Sequence, residues 1–208
     1  MATVVCISDT HGRHHSVEVP PGDILIHAGD MSARGGYAEI ADFMTWFAAQ
    51  PHAYKICIAG NHDFLAEQSP DLMRSLVPPD CLYLENTTAT VLGLRIWGSP
   101  VTPWFHDWAF NRHRGDDIRH YWDMIPPDTD ILITHGPPFG IRDLTVSGEL
   151  VGCRDLNHRV WEVNPRLHVF GHIHEAYGVT EVAGTRFVNA SMLDIGYRPV
   201  HLPVVLEV

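Results

Sequence analysis

Val4-Val5-Cys6-Ile7-Ser8-Asp9-Thr10-His11 sets four apolar residues and one serine before a carboxylate and an imidazole. A short, β-branched run bounded by polar residues reads as a buried strand. The same construction recurs along the chain. Ile24–Ile26 precedes Gly29-Asp30, Ile56–Ile58 precedes Gly60-Asn61-His62-Asp63, Ile131–Ile133 precedes Thr134-His135-Gly136, and Leu167–Phe170 precedes Gly171-His172-Ile173-His174. Functional residues of open α/β sheets gather just beyond the carboxyl ends of strands. Five strands are therefore expected to deliver five polar clusters to one edge of a sheet.

The chemistry of those clusters is that of metal ligation. Asp9, Asp30, Asn61, His11, His135, His172 and His174 offer carboxylate, amide and imidazole donors, His62 stands beside them, and no cysteine falls in any cluster. Such a set suits two divalent cations held by oxygen and nitrogen, and it argues against a thiolate zinc finger or an iron–sulfur cluster. Each residue alone has a plainer reading. Asp9 after a strand serves equally to cap a turn, and His11 to face solvent, as neighbouring His14 and His15 are expected to do. The other histidines, His27, His52, His120, His158, His168 and His201 among them, do not share the strand-end pattern and read as structural or solvated.

In their order, D-x-H, G-D, G-N-H-D, H-G and G-H-x-H, the clusters resemble the calcineurin-like metallophosphoesterase superfamily. Val5–His11, Gly22–Asp30, Tyr54–Asp63 and Asp130–Asp143 are similar to its small metallophosphoesterase-domain-containing branch, whose members act as phosphodiesterases. The resemblance implies a four-layer α/β/β/α sandwich of two mixed sheets packed face to face. It implies two metal ions (Mn, Fe, Zn or Co), with Asp30 bridging. Asp9, His11 and His174 complete one site, and Asn61, His135 and His172 the other. It also implies hydrolysis of small phosphodiesters, cyclic nucleotides among them, by a hydroxide bridging the metals, with His62 assisting the leaving group. Asp63 either orients His62 or anchors its loop. Protein phosphatases of the superfamily carry G-D-x-x-D-R-G where this chain has Gly29-Asp30-Met31-Ser32-Ala33-Arg34-Gly35. Ala33 in place of the second Asp puts protein phosphatase activity in doubt, and Arg34 is either a phosphate contact or a solvated side chain. A phosphomonoesterase using the same site and a non-enzymatic metal-binding scaffold are the alternatives, and related small phosphodiesterases often form homodimers.

Composition narrows the partners. With 208 residues, 45% hydrophobic and 19% charged, the chain reads as one globular metallophosphoesterase domain over 1–208. A formal charge of −11 without a basic stripe argues against stable binding to nucleic acid, which depends on phosphate neutralisation. Four cysteines in a chain this long do not make a disulfide framework, and a reducing cytoplasm is expected. No apolar stretch is long enough for a membrane span.

Elsewhere the patterning is local. Ile40, Phe43, Met44 and Phe47 lie at helical spacing within 37–50, closed by Pro51. Strand chemistry is expected over 81–98, with turns at Glu85-Asn86 and near Gly93, in a hairpin turning at Ala183-Gly184, and over Val200–Val208. The segment 100–127, holding Trp104, Trp108, Phe110, Arg112 and Arg114, reads as an irregular loop. It is either a flap that stacks on a base and meets phosphate or a loop folded over the core.

Overall fold

Strands that are apolar at every position need cover on both faces, and the architecture supplies it. The computed structural model describes residues 1–208. In chain order the first half comprises β1 (Thr3–Ile7), β2 (Ile24–Ala28), α1 (Tyr37–Ala48), β3 (Tyr54–Ile58), α2 (Phe64–Gln68), α3 (Pro70–Leu76), β4 (Cys81–Tyr83), β5 (Thr87–Val91) and β6 (Leu94–Ser99). There follow β7 (Thr102–Pro103), β8 (Asn111–Arg112), α4 (Asp116–Trp122), β9 (Ile131–Thr134), α5 (Arg154–Val163), β10 (Leu167–Phe170), β11 (Gly178–Val182), β12 (Thr185–Asn189) and β13 (Val204–Glu207).

One sheet has the order β13-β1-β2-β3-β4, parallel except for β13. The other has the order β11-β12-β10-β9-β6-β5, with parallel inner strands and an antiparallel strand at each edge. Alternation along each strand sorts the side chains into three apolar layers. Val4, Cys6, Ile24, Ile26, Ile56 and Ile58 meet Ile96, Ile131, Ile133, Val169 and Val188 between the sheets. Val5, Ile7, Leu25 and Cys57 lie beneath Ile40, Phe43, Phe47 and Met73 of the first helices. Trp97, Leu132, Phe170 and Phe187 lie beneath Ile118, Trp122, Leu156 and Val160 of α4 and α5. This is the four-layer α/β/β/α sandwich. All four cysteines are free and buried, and no helix is long and apolar enough to cross a membrane.

Several local expectations need correction. The polar clusters do not share one sheet edge: β1, β2 and β3 belong to the first sheet, β9 and β10 to the second, and the carboxyl ends of both converge. The chain bends at Glu85-Asn86 as expected, but not into a hairpin, because β4 and β5 lie in different sheets and the chain crosses between them there. The true hairpin turn is Leu92-Gly93, both at positive φ (53° and 79°), matched by Ala183-Gly184 at 49° and 88°, the left-handed pair that two-residue hairpins require. The final strand is shorter than Val200–Val208, and 100–127 is not irregular, since it contains β7, β8 and α4.

Two buried histidines occupy equivalent places in the two sheets. His27 on β2 contacts Thr10 Oγ1 through Nε2 at 3.0 Å, and His168 on β10 contacts Thr134 Oγ1 at 2.8 Å. Thr134 donates its hydroxyl hydrogen to Gly136 O, so His168 Nε2 is the donor of that pair. Burial pushes both imidazoles down to about 3, below an unfolded value near 6.5. A folded pKa below the unfolded one leaves stability whole above pH ~6.5 and erodes it as pH falls toward the folded value. Between pH 6 and 4, His168→Gln, which keeps a donor to Thr134, is therefore expected to flatten the loss of stability by about 1.4 kcal/mol per pH unit. Urea unfolding across that range measures it, and an unchanged slope would show that His168 takes up its proton in the folded state.

Candidate metal centre

The seven candidate ligands meet at the seam where the two sheets' carboxyl ends converge. Asp9, His11 and His174 bring donor atoms within 4.8 Å of one another, as do Asp30, His135 and His172. Within the first group, His174 Nε2 lies 3.5 Å from Asp9 Oδ1 and 3.3 Å from His11 Nε2. Asp30 Oδ2 stands between the groups, 3.6 Å from His11 Nε2 and 3.3 Å from His135 Nε2. Asn61 Oδ1 is 2.9 Å from His135 Nε2.

Backbone conformation makes this convergence possible. Asp9, His11, Asp30 and His172 all have positive φ, 53°, 43°, 56° and 68°, a left-handed conformation that non-glycine residues rarely hold and that clusters at functional sites. Glycines make the room. A Cβ on Gly60 would meet Asp30 Oδ1 at 2.2 Å, and one on Gly171 would meet Asp9 Oδ2 at 1.9 Å. The reach of His172 and His174 toward neighbouring groups does not come from a pleated strand, as their two-residue spacing suggests. The strand ends at Phe170, His172 is left-handed, and His174 opens a short 3₁₀ turn, His174–Ala176.

Hydrogen bonds fix the donors. Asp9 accepts from Ser191 Oγ at 2.8 Å and from the backbone N–H of His172, and Asp30 Oδ1 accepts from the backbone N–H of His62 at 2.8 Å. His135 Nδ1 pairs with Ala28 O at 2.9 Å and His174 Nδ1 with Asp194 O at 3.0 Å. A proton held on Nδ1 by a carbonyl leaves Nε2 aimed at the cluster, the outer-shell arrangement of a metal-ligating histidine.

Charge balance points the same way. Burial alone would raise both carboxyls, but His174 beside Asp9 and His135 beside Asp30 hold them below the usual carboxylate range. Reciprocally, burial opposes protonation of His135 and His174, yet Asp30 and Asp9 draw them up to about 9. Burial takes His11 and His172 down to about 4. A cation at this place would compete with protons for the nitrogens of His135 and His174. Two buried carboxylates among imidazoles, with Nε2 atoms and oxygens converging, fit divalent metal.

His62 lies at the rim. Its Nδ1 meets Ala33 O at 2.9 Å, its Nε2 is 4.0 Å from Asp30 Oδ2, and its ring is 4.3 Å from Trp108 and 4.5 Å from His11. It also forms a ligand-competent group with His11 and Asp30, so it is not remote from the metal positions. Asp63 makes no contact with His62 through its carboxylate. It accepts from the N–H groups of Met31, Ser32 and Gly60 and from Ser32 Oγ, which is the geometry of a loop anchor. Burial and the nearby Asp30 charge push its carboxyl up to about 6. Arg34 is exposed, its backbone N–H bonded to Glu39, and its guanidinium has no partner in the cluster.

In the 100–127 segment, Arg112 pairs with Glu67 and Tyr121, while Arg114 bonds Val151 O and Gly152 O. These two cations hold the fold together, which favours the second of the two readings of the segment, a loop folded over the core. Ser191, Asp194 and Tyr197 are site neighbours that no motif announced; Tyr197 stands 4.9 Å from His11 and 5.4 Å from His174. A signal was present: Phe187-Val188 before Asn189-Ala190-Ser191 is a sixth apolar run ending in small polar residues.

The family model for calcineurin-like phosphoesterases matches residues 2–176. The chain belongs to this family. Human metallophosphoesterase domain-containing protein 1 is 42% identical over 229 residues, spanning 98% of this chain and 70% of the human one, and the mouse protein of that name matches equally well. The crystal structure of TT1561 from Thermus thermophilus shares the fold, with a TM-score of 0.63 at 13% identity over 90% of this chain and 88% of that one. Membership makes the chain a metal-dependent phosphoester hydrolase.

Gly171→Ala puts a methyl group against Asp9 and should displace it from His11 and His174. The expected result is a fall in divalent-cation affinity of at least ~10-fold, the cost of disturbing a ligand's support. Equilibrium dialysis of stripped protein checks it; unaltered binding would mean that Asp9 is not held where a cation sits.

Proposed function

We propose that the chain is a dinuclear metal-dependent phosphodiesterase acting on small diesters, cyclic nucleotides among them. The observation that carries the reading is the position of Asp30. One of its oxygens lies within 3.6 Å of imidazoles from both donor groups, which suits a carboxylate shared by two cations whose repulsion it offsets. Asp9, His11 and His174 would hold one ion, and Asn61, His135 and His172 the other. A metal pair supplies Lewis acidity toward phosphoryl oxygens and lowers the pKa of water into the neutral range.

The protein's own groups supply the rest. With Nδ1 turned to Ala33 O and one side of the ring against Trp108, His62 presents Nε2 toward Asp30. A protonated Nε2 is placed to pass its proton to a departing ester oxygen. Asp63, bonded to three backbone N–H groups and Ser32, holds the Asp30 and Asn61 loops in register. Beside His172 opens a cleft of about 650 Å³, lined by Pro103, Trp104, Phe105, Leu150 and Ile173 among others. Trp104 and Phe105 are half exposed, at 51% and 58%, and offer planar apolar surface to a ring carried by the diester.

Rates on a phosphodiester and its matching monoester test the reading: a diester preference is expected, and a strong monoester preference would replace it with a phosphomonoesterase. His62→Ala should keep bound metal and lose ~10²–10⁴-fold in rate on diesters with poor leaving groups. The loss should shrink for good leaving groups, which need little protonation. Equal losses would leave His62 an electrostatic role only.

A further inference from the structure

Three donors outside the seam form a second kind of cluster. The 3₁₀ turn His14–Ser16 follows the Asp9–His11 loop, and its two histidines face Asp42 on α1. His14 Nε2 lies 3.0 Å and His15 Nε2 3.1 Å from the same atom, Asp42 Oδ2. All three side chains place a ligand atom within 4.8 Å of one another. Side chains of consecutive residues usually diverge; here the tight turn brings both rings to one oxygen, with centroids 4.4 Å apart.

The spacing is that of a coordination sphere. Bonds of ~2.0–2.1 Å in tetrahedral arrangement put neighbouring donor atoms ~3.3 Å apart, and the two N···O separations fall a few tenths below that edge. His14, expected at the surface, is instead fixed inside, its side chain 1% exposed and packed on Phe43 and Trp46. His15 and Asp42 are open to water, with side chains 63% and 55% exposed, so an ion can enter and keep water in its remaining positions. Burial first, and then His15, lowers the pKa of His14 against the pull of Asp42, which favours the neutral, ligating form of that ring.

We infer that His14, His15 and Asp42 form a separate site for one divalent transition-metal ion of the zinc type. Two imidazoles and one carboxylate select against magnesium and calcium, which prefer all-oxygen shells. The place of the site gives it a consequence. His14 is three residues beyond His11, and α1 begins seven residues beyond Asp30, so an ion here ties the loop of one candidate ligand to the helix that follows another.

The test counts metal. The whole chain, stripped of metal, is dialysed against Zn²⁺ beside His15→Ala and Asp42→Ala. Both substitutions are at exposed side chains, and circular dichroism verifies their fold. Wild type is expected to bind one equivalent more than either variant, and to gain thermal stability over a final Zn²⁺ step that the variants lack. Phosphodiester hydrolysis by the variants, supplied with Mn²⁺, should remain, which separates this site from the hydrolytic one. Equal zinc equivalents in wild type and variants would overturn the inference, and so would loss of every bound ion in the variants, since the cluster would then be part of the folding frame.

Discussion

Two carboxylates, Asp9 and Asp30, lie almost out of reach of water at the junction of two sheets. Charge in such a place is tolerated only when it is paired and hydrogen-bonded. The surrounding architecture answers that demand. Imidazoles from the second sheet supply positive charge, Ser191 and backbone N–H groups supply donors, and the strands that carry them leave the core at one level. The sandwich is apolar in three layers, His27, Lys55 and His168 apart, and its buried carboxylates gather where the strands end. Its reactive seam is therefore a boundary condition of the packing as much as a feature of chemistry.

Each sheet carries the same supporting device. His27 braces Thr10, which lies between Asp9 and His11, and His168 braces Thr134, which precedes His135. Both rings are packed edge-on against phenylalanine, Phe43 in one case and Phe170 in the other. A hydroxyl held by a buried ring is a rigid strut, and it stands one residue from a candidate ligand in both halves of the molecule. The left-handed backbone at Asp9, His11, Asp30 and His172 needs such support, since an unsupported segment would relax out of it.

Much of this is legible in the sequence, for identifiable reasons. Strands buried on both faces announce themselves as short β-branched runs, and the residues that follow them are polar because the core has ended. Hence β1, β2, β3, β9 and β10, and the seven candidate donors, can be read directly. Tertiary choices are not written locally. Nothing in Glu85-Asn86 says that the chain leaves one sheet for the other, because a turn and a crossing use the same residues. Helix α5 carries little signal because Arg154–Val163 is largely polar and buries only Leu156, Val160 and Val163. The roles of Arg112 and Arg114 depend on Glu67 and on the Val151 and Gly152 carbonyls, partners distant in sequence. Ser191 is marked only by the short apolar run before it, and Tyr197 enters the site through long-range packing that no local pattern records.

The order in which the donors occur along the chain has a consequence for biosynthesis. Asp9, His11, Asp30 and Asn61 lie in the first third, whereas His135 follows β9, and His172 and His174 follow β10, both strands of the second sheet. The neighbour that closes β1 on its outer side, β13, comes later still, with Thr3 opposite Glu207. A ribosome-bound chain thus exposes oxygen donors long before the imidazoles that balance them have been made. Such a half-set lacks the imidazoles of the second sheet. Firm capture waits for long-range pairing, which in chains of this topology is the slow part of folding.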